Sequence, residues 1–203
     1  MSSTIATPIR SQANALRQDS AQVTLSARRT SSSGIWVGVF AITMSFAAFT
    51  SALFVREGTA DWGHLVLPPI LYVNTLFLLA SSGTLELARR NLSGARVSKA
   101  GAWVAITLML GLGFCTGQYR AWLDLRDQGI YLATNPNSSF FYVLTFMHVL
   151  HVLAGLLALA YVVYRLSIRQ SAIRRSIFEN TAVYWHFIAL LWVYLLVLCR
   201  TKL

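Results

Sequence analysis

The sequence predicts an all-α, polytopic membrane protein built as a bundle of five transmembrane helices. Of its 203 residues, 56% are hydrophobic and 12% are charged, whereas a soluble domain carries about 25% charged residues. The charges gather in short stretches between long uncharged runs. Five of those runs approach or exceed the ~20 apolar residues that a membrane-crossing helix requires. This pattern excludes a soluble α/β enzyme and a secreted disulfide scaffold. Cys115 and Cys199 each lie in or at the end of an apolar run, so neither a disulfide framework nor a Cys-pair metal site is suggested. The net charge of +10 is better explained by membrane orientation than by nucleic acid.

Residues 1–33 are rich in Ser, Thr, Ala and Arg, with Arg10, Arg17, Arg28 and Arg29 and no apolar periodicity. They are expected to form a disordered, basic cytoplasmic tail, leaving residues 34–203 as the membrane domain. The first span is expected over Gly34–Val55. It is too long and too far along the chain for a cleaved signal peptide and reads as a signal anchor. The second, Leu65–Leu87, holds Pro68-Pro69 near its start and Asn74-Thr75 at mid-span. The third, Ala100–Gln118, carries Gly113-x-x-x-Gly117, a small-xxx-small surface that lets another helix approach closely. The segment Thr134-Asn135-Pro136-Asn137-Ser138-Ser139 reads as a turn and helix cap, followed by a fourth span over Ser139–Tyr164. The fifth runs over Glu179–Cys199.

Five crossings put the termini on opposite sides, and Lys and Arg in the short linkers decide which side is which. Twelve of the 17 basic residues fall in the tail, in the second linker (Arg89, Arg90, Arg96, Lys99) and in the fourth (Arg165, Arg169, Arg174, Arg175). Arg56, Arg120, Arg126, Arg200 and Lys202 fall on the other side. The bias predicts a cytoplasmic N-terminus and an extracytoplasmic C-terminus, with Trp62, Trp122 and Tyr131 in the interfacial aromatic belt.

Polar residues at membrane depth are the candidates for function, because burying them there is costly. Asn74 and Thr75 are expected to bond across to a neighbouring helix. Glu86 lies three residues from Arg89 and four from Arg90, a spacing for a same-face ion pair, with a proton-uptake or subunit-contact role as the functional alternative. His148 and His151 share one face of the fourth span and are expected to make interhelical hydrogen bonds. A single i, i+3 pair does not approach one haem iron from both sides, so haem ligation would need His186 or His64 as well. Glu179 is expected to cap the fifth helix, at the positive end of its dipole. The cluster Tyr184-Trp185-His186-Phe187 is denser than a lipid-facing helix needs and suggests a packed helix or protein interface. No phosphate loop, HExxH pair or nucleophile elbow occurs.

Taken in order, these fragments resemble subunit III of the haem-copper respiratory oxidases, from about Trp36 onward. The matches are Pro69, Asn74-Thr75, Leu79-Ala80-Ser81-Ser82, Thr84-Leu85-Glu86 and Ala88 in the second span, and Leu110-Gly111, Phe114 and Gln118 in the third. In the fourth they are Phe140-Phe141, Thr145, His148, Leu150-His151-Val152 and Gly155, and in the fifth Glu179, Tyr184-Trp185-His186-Phe187 and Trp192. The chain looks like the short, five-helix form, lacking the two helices that enclose a lipid-filled cleft in longer members. It departs from the family at Ala121, Val149 and Ala189, where a glutamate, a glycine and an aspartate are usual, and its first span lacks the family's glutamate.

The resemblance implies a non-catalytic subunit of a hetero-oligomeric terminal oxidase in a bacterial plasma membrane. Such a subunit holds no cofactor itself. It packs mainly on subunit I, with subunit II in the same complex and lipids around it; haem and copper reside in the partners. Asn74, Thr75, Glu86, Gln118, His148, His151, Glu179, Tyr184, Trp185 and His186 are then expected to serve structure or subunit contact. A quinol oxidase or nitric oxide reductase subunit is the near alternative. A transporter is the distant one, since five spans give no even inverted repeat.

Overall fold

The computed structural model describes residue 18 and residues 33–57, 67–93, 97–168 and 175–202. Among these residues the ordered elements are helices, with no strand. They are α1 (Ser33–Arg56), α2 (Ile70–Ser93), α3 (Val97–Asp127), α4 (Pro136–Val163) and α5 (Arg175–Lys202), and a π-helical turn, Tyr164–Ile168, continues α4. Among the described residues five helices are long and apolar enough to cross a membrane, as the sequence predicts. The basic tail up to residue 32, Trp62, His64, Arg96, Arg169 and Arg174 lie outside the described residues.

The helices do not stop where the apolar runs stop, and local chemistry sets their ends. Pro68 and Pro69 have no N–H, and their carbonyls accept from Leu71 and Tyr72 N–H at 3.2 and 3.1 Å, so α2 begins at Ile70 rather than at Leu65. α3 continues from Gln118 to Asp127, because neither proline nor glycine interrupts residues 118–128. Arg120, Asp124, Arg126 and Asp127, which look like a linker in the sequence, are its last turns. Gly129, at φ 77°, ends it: Gly129 N–H reaches Arg126 O at 2.9 Å and Ile130 N–H reaches Leu125 O at 3.0 Å, a Schellman closure that suits glycine.

The start of α4 is Pro136, whose fixed φ suits the first helical position. Its cap is the extended Asn135, at φ −143° and ψ 156°. Asn135 N–H donates to Ser138 Oγ at 3.2 Å, and that hydroxyl lies 3.0 Å from Tyr131 O and 2.8 Å from Asn135 O. α5 begins at Arg175, so Glu179 lies beyond its first turn. The capping role expected for Glu179 is therefore corrected: the additional turn moves it away from the free N–H groups of the helix start.

α2, α3, α4 and α5 close a ring in which each packs on the next and α5 packs back on α2. The α2–α3 approach is close because Gly117 presents no side chain. Phe77 lies against Gly113, and the Asn74 amide rests on Gly117 where a Cβ would overlap it. α1 docks through Phe46 and Leu53, both buried. Glu57, just past its end, pairs with Lys202 at 3.0 Å, and the Lys202 ammonium sits 4.9 Å from the Phe54 ring centre. The last residues of α1 and α5 thus meet at one end of the bundle, as alternating crossings require.

Ser138→Ala removes the hydroxyl that accepts from Asn135 N–H and bonds Tyr131 O, and is expected to destabilise the protein by about 0.5–1.5 kcal/mol, the net worth of an ordinary hydrogen bond. Thermal unfolding of the detergent-purified protein checks this. The exposed Thr43→Ala, whose hydroxyl bonds only within α1, is expected to leave the transition unchanged.

Candidate functional site

In hydrocarbon a polar group must find its partner inside the protein, and the sequence supplies donors and acceptors on facing helices. Trp185 Nε1–H on α5 donates to Ser81 Oγ on α2 at 3.0 Å, and Trp192 Nε1–H donates to Thr75 Oγ1 at 3.0 Å. Trp122 Nε1–H on α3 donates to Thr145 Oγ1 on α4 at 3.1 Å. Tyr194 OH on α5 reaches Thr50 Oγ1 on α1 at 3.0 Å. Each accepting hydroxyl gives its own proton to a carbonyl one turn back: Ser81 to Leu78, Thr75 to Leu71, Thr145 to Phe141, Thr50 to Phe46, all within 2.7–2.9 Å. Thr84 and Thr107 hydroxyls meet between α2 and α3 at 2.8 Å.

Trp185 is the centre of this arrangement. It is 1% exposed, and its ring fills a slot between Gly111 of α3 and Gly155 of α4. A Cβ at Gly111 would lie 2.8 Å from the indole, and one at Gly155 would lie 2.9 Å from it. One side chain therefore fixes α5 against α2, α3 and α4 together.

Asn74, Gln118 and His148 are fully buried. Asn74 Nδ2–H donates to Gln118 Oε1 at 3.4 Å, so the cross-helix roles expected for Asn74 and Thr75 are both realised. His148 differs from expectation. Neither of its ring nitrogens has a hydrogen-bond partner among the described residues. Its ring lies 5.1 Å from Trp192 at 33° and meets Phe114 edge-on at 5.8 Å, and Phe114 in turn meets Trp192 at 4.8 Å. The expected interhelical hydrogen bond is replaced by ring packing. His151 also differs: its Nδ1 is 2.6 Å from Met147 O on its own helix, and its ring packs on Phe46 of α1 at 5.8 Å. The bond that does cross here runs from Tyr184 OH to the backbone carbonyl of His151, at 3.1 Å.

Glu86 makes both predicted ion pairs, at 2.9 Å to Arg89 and 3.4 Å to Arg90. The half-buried His186 has Glu86 and Arg89 as charged neighbours. This forms a polar surface where the C-terminal part of α2 faces α5. The tryptophan of the Tyr184–Phe187 cluster points into the bundle, so of the two readings of this cluster Trp185 takes the packed-helix one. Asn74, Gln118 and His148 are buried inside the bundle, which fits the structural one of the two roles expected for them. Tyr184, His186 and Glu86 remain partly accessible. Sequence reasoning underweighted Ser81, Thr145 and the slot glycines, although all four belong to the resembling fragments. Among the described residues no three His, Cys, Asp or Glu side chains converge in a way that could hold a metal ion.

The helices and their internal polar ties define an α-helical, multi-pass integral membrane protein whose buried groups serve packing. The family model for cytochrome c oxidase subunit III matches residues 33–200. The chain belongs to that family. It is 34% identical over 171 residues to a cytochrome c oxidase subunit 3 of Synechocystis, covering 82% of this chain and 69% of the relative. It is 27% identical over 167 residues to a cytochrome c oxidase subunit 3 of a Bacillus species, covering 80% and 81%. It is 28% identical over 170 residues to a quinol oxidase subunit 3 of Bacillus subtilis, covering 80% and 82%. The protein is therefore a subunit III of the haem-copper oxidase type, a component of a multi-subunit membrane oxidase.

Gly111→Ala and Gly155→Ala overfill the Trp185 slot and are each expected to cost about 1–3 kcal/mol. Gly83→Ala, where a Cβ meets nothing within 4 Å, is expected to be neutral or slightly stabilising, since alanine is the better helix former. Thermal unfolding of the three variants beside the parent protein measures the contrast.

Proposed function

We propose that this chain is the non-catalytic subunit III of a proton-pumping, cytochrome c oxidase-type complex in a bacterial plasma membrane. In this reading it packs on subunit I, with subunit II in the same assembly, and stabilises the catalytic core. It binds no redox cofactor; haem and copper sit in the partner subunits. The family match over residues 33–200 carries the reading. The position of Trp185 supports it: its ring and N–H are used in holding α5 to α2, α3 and α4, as a scaffold requires. Twelve basic residues on one side favour an N-terminus in the cytoplasm.

The Glu86 surface lies at the end of the bundle that this orientation turns to the cytoplasm. In this reading the partly buried Glu86 carboxylate lies near the entrance to a proton-uptake path in subunit I. The quinol oxidase relative at 28% identity favours a second reading, in which the electron donor is a quinol. Turnover of the purified complex with reduced cytochrome c against turnover with quinol separates the two.

Mild-detergent purification through a tag on this chain is expected to bring down a haem-bearing, multi-span partner. Mass spectrometry and the absorbance spectrum of the same fraction read it, and a chain that elutes alone without haem overturns the proposal. Glu86→Gln is expected to assemble normally and leave the haem spectrum unchanged while lowering steady-state turnover. Unchanged turnover between pH 6 and pH 9 would confine Glu86 to its ion pairs.

A further inference from the structure

At one level of the bundle four helices bring polar side chains together. Gln118 of α3 lies one turn from Phe114 and one turn from Trp122, on the same face of the helix. Phe114 meets the His148 ring of α4, and Trp122 donates to Thr145 of the same helix. Gln118 therefore sits between the two α3–α4 contacts, level with His148 and Thr145. Trp192 of α5 packs on His148 and donates to Thr75 of α2, and the neighbouring Asn74 donates to Gln118. Asn74, Gln118 and His148 are each 0% exposed.

The hydrogen bonds of this layer do not close on themselves. Gln118 Nε2, Asn74 Oδ1 and both ring nitrogens of His148 have no partner among the described residues. Asn74 Oδ1 rests on α3 at Gly117, where a weak Cα–H contact serves it. Turning the two amides end for end leaves the same shortfall of one donor and one acceptor. Unpaired polar groups are costly at membrane depth, and full burial closes these to side chains of another subunit. What satisfies them must be small, and must accept from an amide while donating to an imidazole. A cation does neither, and no carboxylate in the layer would balance its charge. We infer that the bundle holds an ordered internal water between Gln118 and His148, accepting from Gln118 Nε2–H and donating to the acceptor nitrogen of the His148 ring. Thr145 Oγ1 gives its proton to Phe141 O and accepts from Trp122, and its remaining lone pair supplies a third partner, the usual complement of a buried water. The water ties α4 to α3 at His148, where the side chains themselves make no bond.

The test is X-ray radiolysis of the oxidase complex purified from its own membranes in mild detergent, with a scavenger present to remove radicals formed in bulk solvent. A bound water split by the beam oxidises the side chains beside it, and mass spectrometry of the peptides locates the oxidation. Trp192 and Trp185 are matched probes, 2% and 1% exposed and equal in ring chemistry, but only Trp192 touches His148. Trp192 is expected to oxidise severalfold faster than Trp185. Gln118→Leu removes the donor to the water and is expected to bring Trp192 down to the rate of Trp185, while continued protection of Trp185 shows that the bundle is still packed. Equal rates for the two tryptophans in the parent complex overturn the proposal, and that comparison stands even where the variant does not assemble. An undiminished Trp192 rate in a packed Gln118→Leu complex overturns it as well.

Discussion

The bundle depends on how one indole is seated. Trp185 is too large to pack between helices unless something yields, and what yields is the side chain at two facing positions, Gly111 and Gly155. Its ring takes the place of those side chains, and its N–H cannot stay unpaired in a medium without water. Ser81 meets that need. Helices in a membrane gain little from apolar burial against one another, since lipid tails are equally apolar, so close packing and polar pairing must hold them. Trp185 supplies both at once, to three neighbouring helices.

The same device recurs with Trp192, Trp122 and Tyr194. An aromatic donor crosses between helices, and a Ser or Thr that has already given its proton to its own backbone accepts with a lone pair. Such hydroxyls are inexpensive at membrane depth because they are satisfied whether or not the neighbour is present. This explains why hydroxyl residues are scattered through apolar runs that otherwise avoid polarity. It also explains what the departures from the family leave behind: Ala121 and Ala189 are both buried, so where a glutamate or aspartate is usual this chain packs a methyl group into its core.

Five helices, the Glu86 ion pairs, the cross-helix roles of Asn74 and Thr75, and the close approach at Gly117 were legible in the sequence. Each depends on length, on spacing along one helix or on the general cost of burying polarity. The surroundings of His148 were not legible, because whether an imidazole finds a hydrogen bond or a ring depends on Phe114 and Trp192, which come from two other helices. The Trp185 slot was hidden for a similar reason: Gly111 and Gly155 are 44 positions apart, and each alone looks like an ordinary membrane glycine. The end of α3 was misleading for a different reason. Alternating arginines and aspartates read as a linker, yet nothing in residues 118–128 breaks a helix.

The distribution of donors along the chain bears on the order of biosynthesis. The accepting hydroxyls of Thr50, Thr75 and Ser81 and the carbonyl of His151 all lie upstream. Their donors, Tyr194, Trp192, Trp185 and Tyr184, all belong to α5. The first four spans therefore enter the bilayer with their hydroxyls already content, tied to one another by Asn74–Gln118 and Thr84–Thr107 between α2 and α3 and by Trp122–Thr145 between α3 and α4. α5, synthesised after the other four helices, is the keystone, and a nascent chain halted before it has no means of closing the ring.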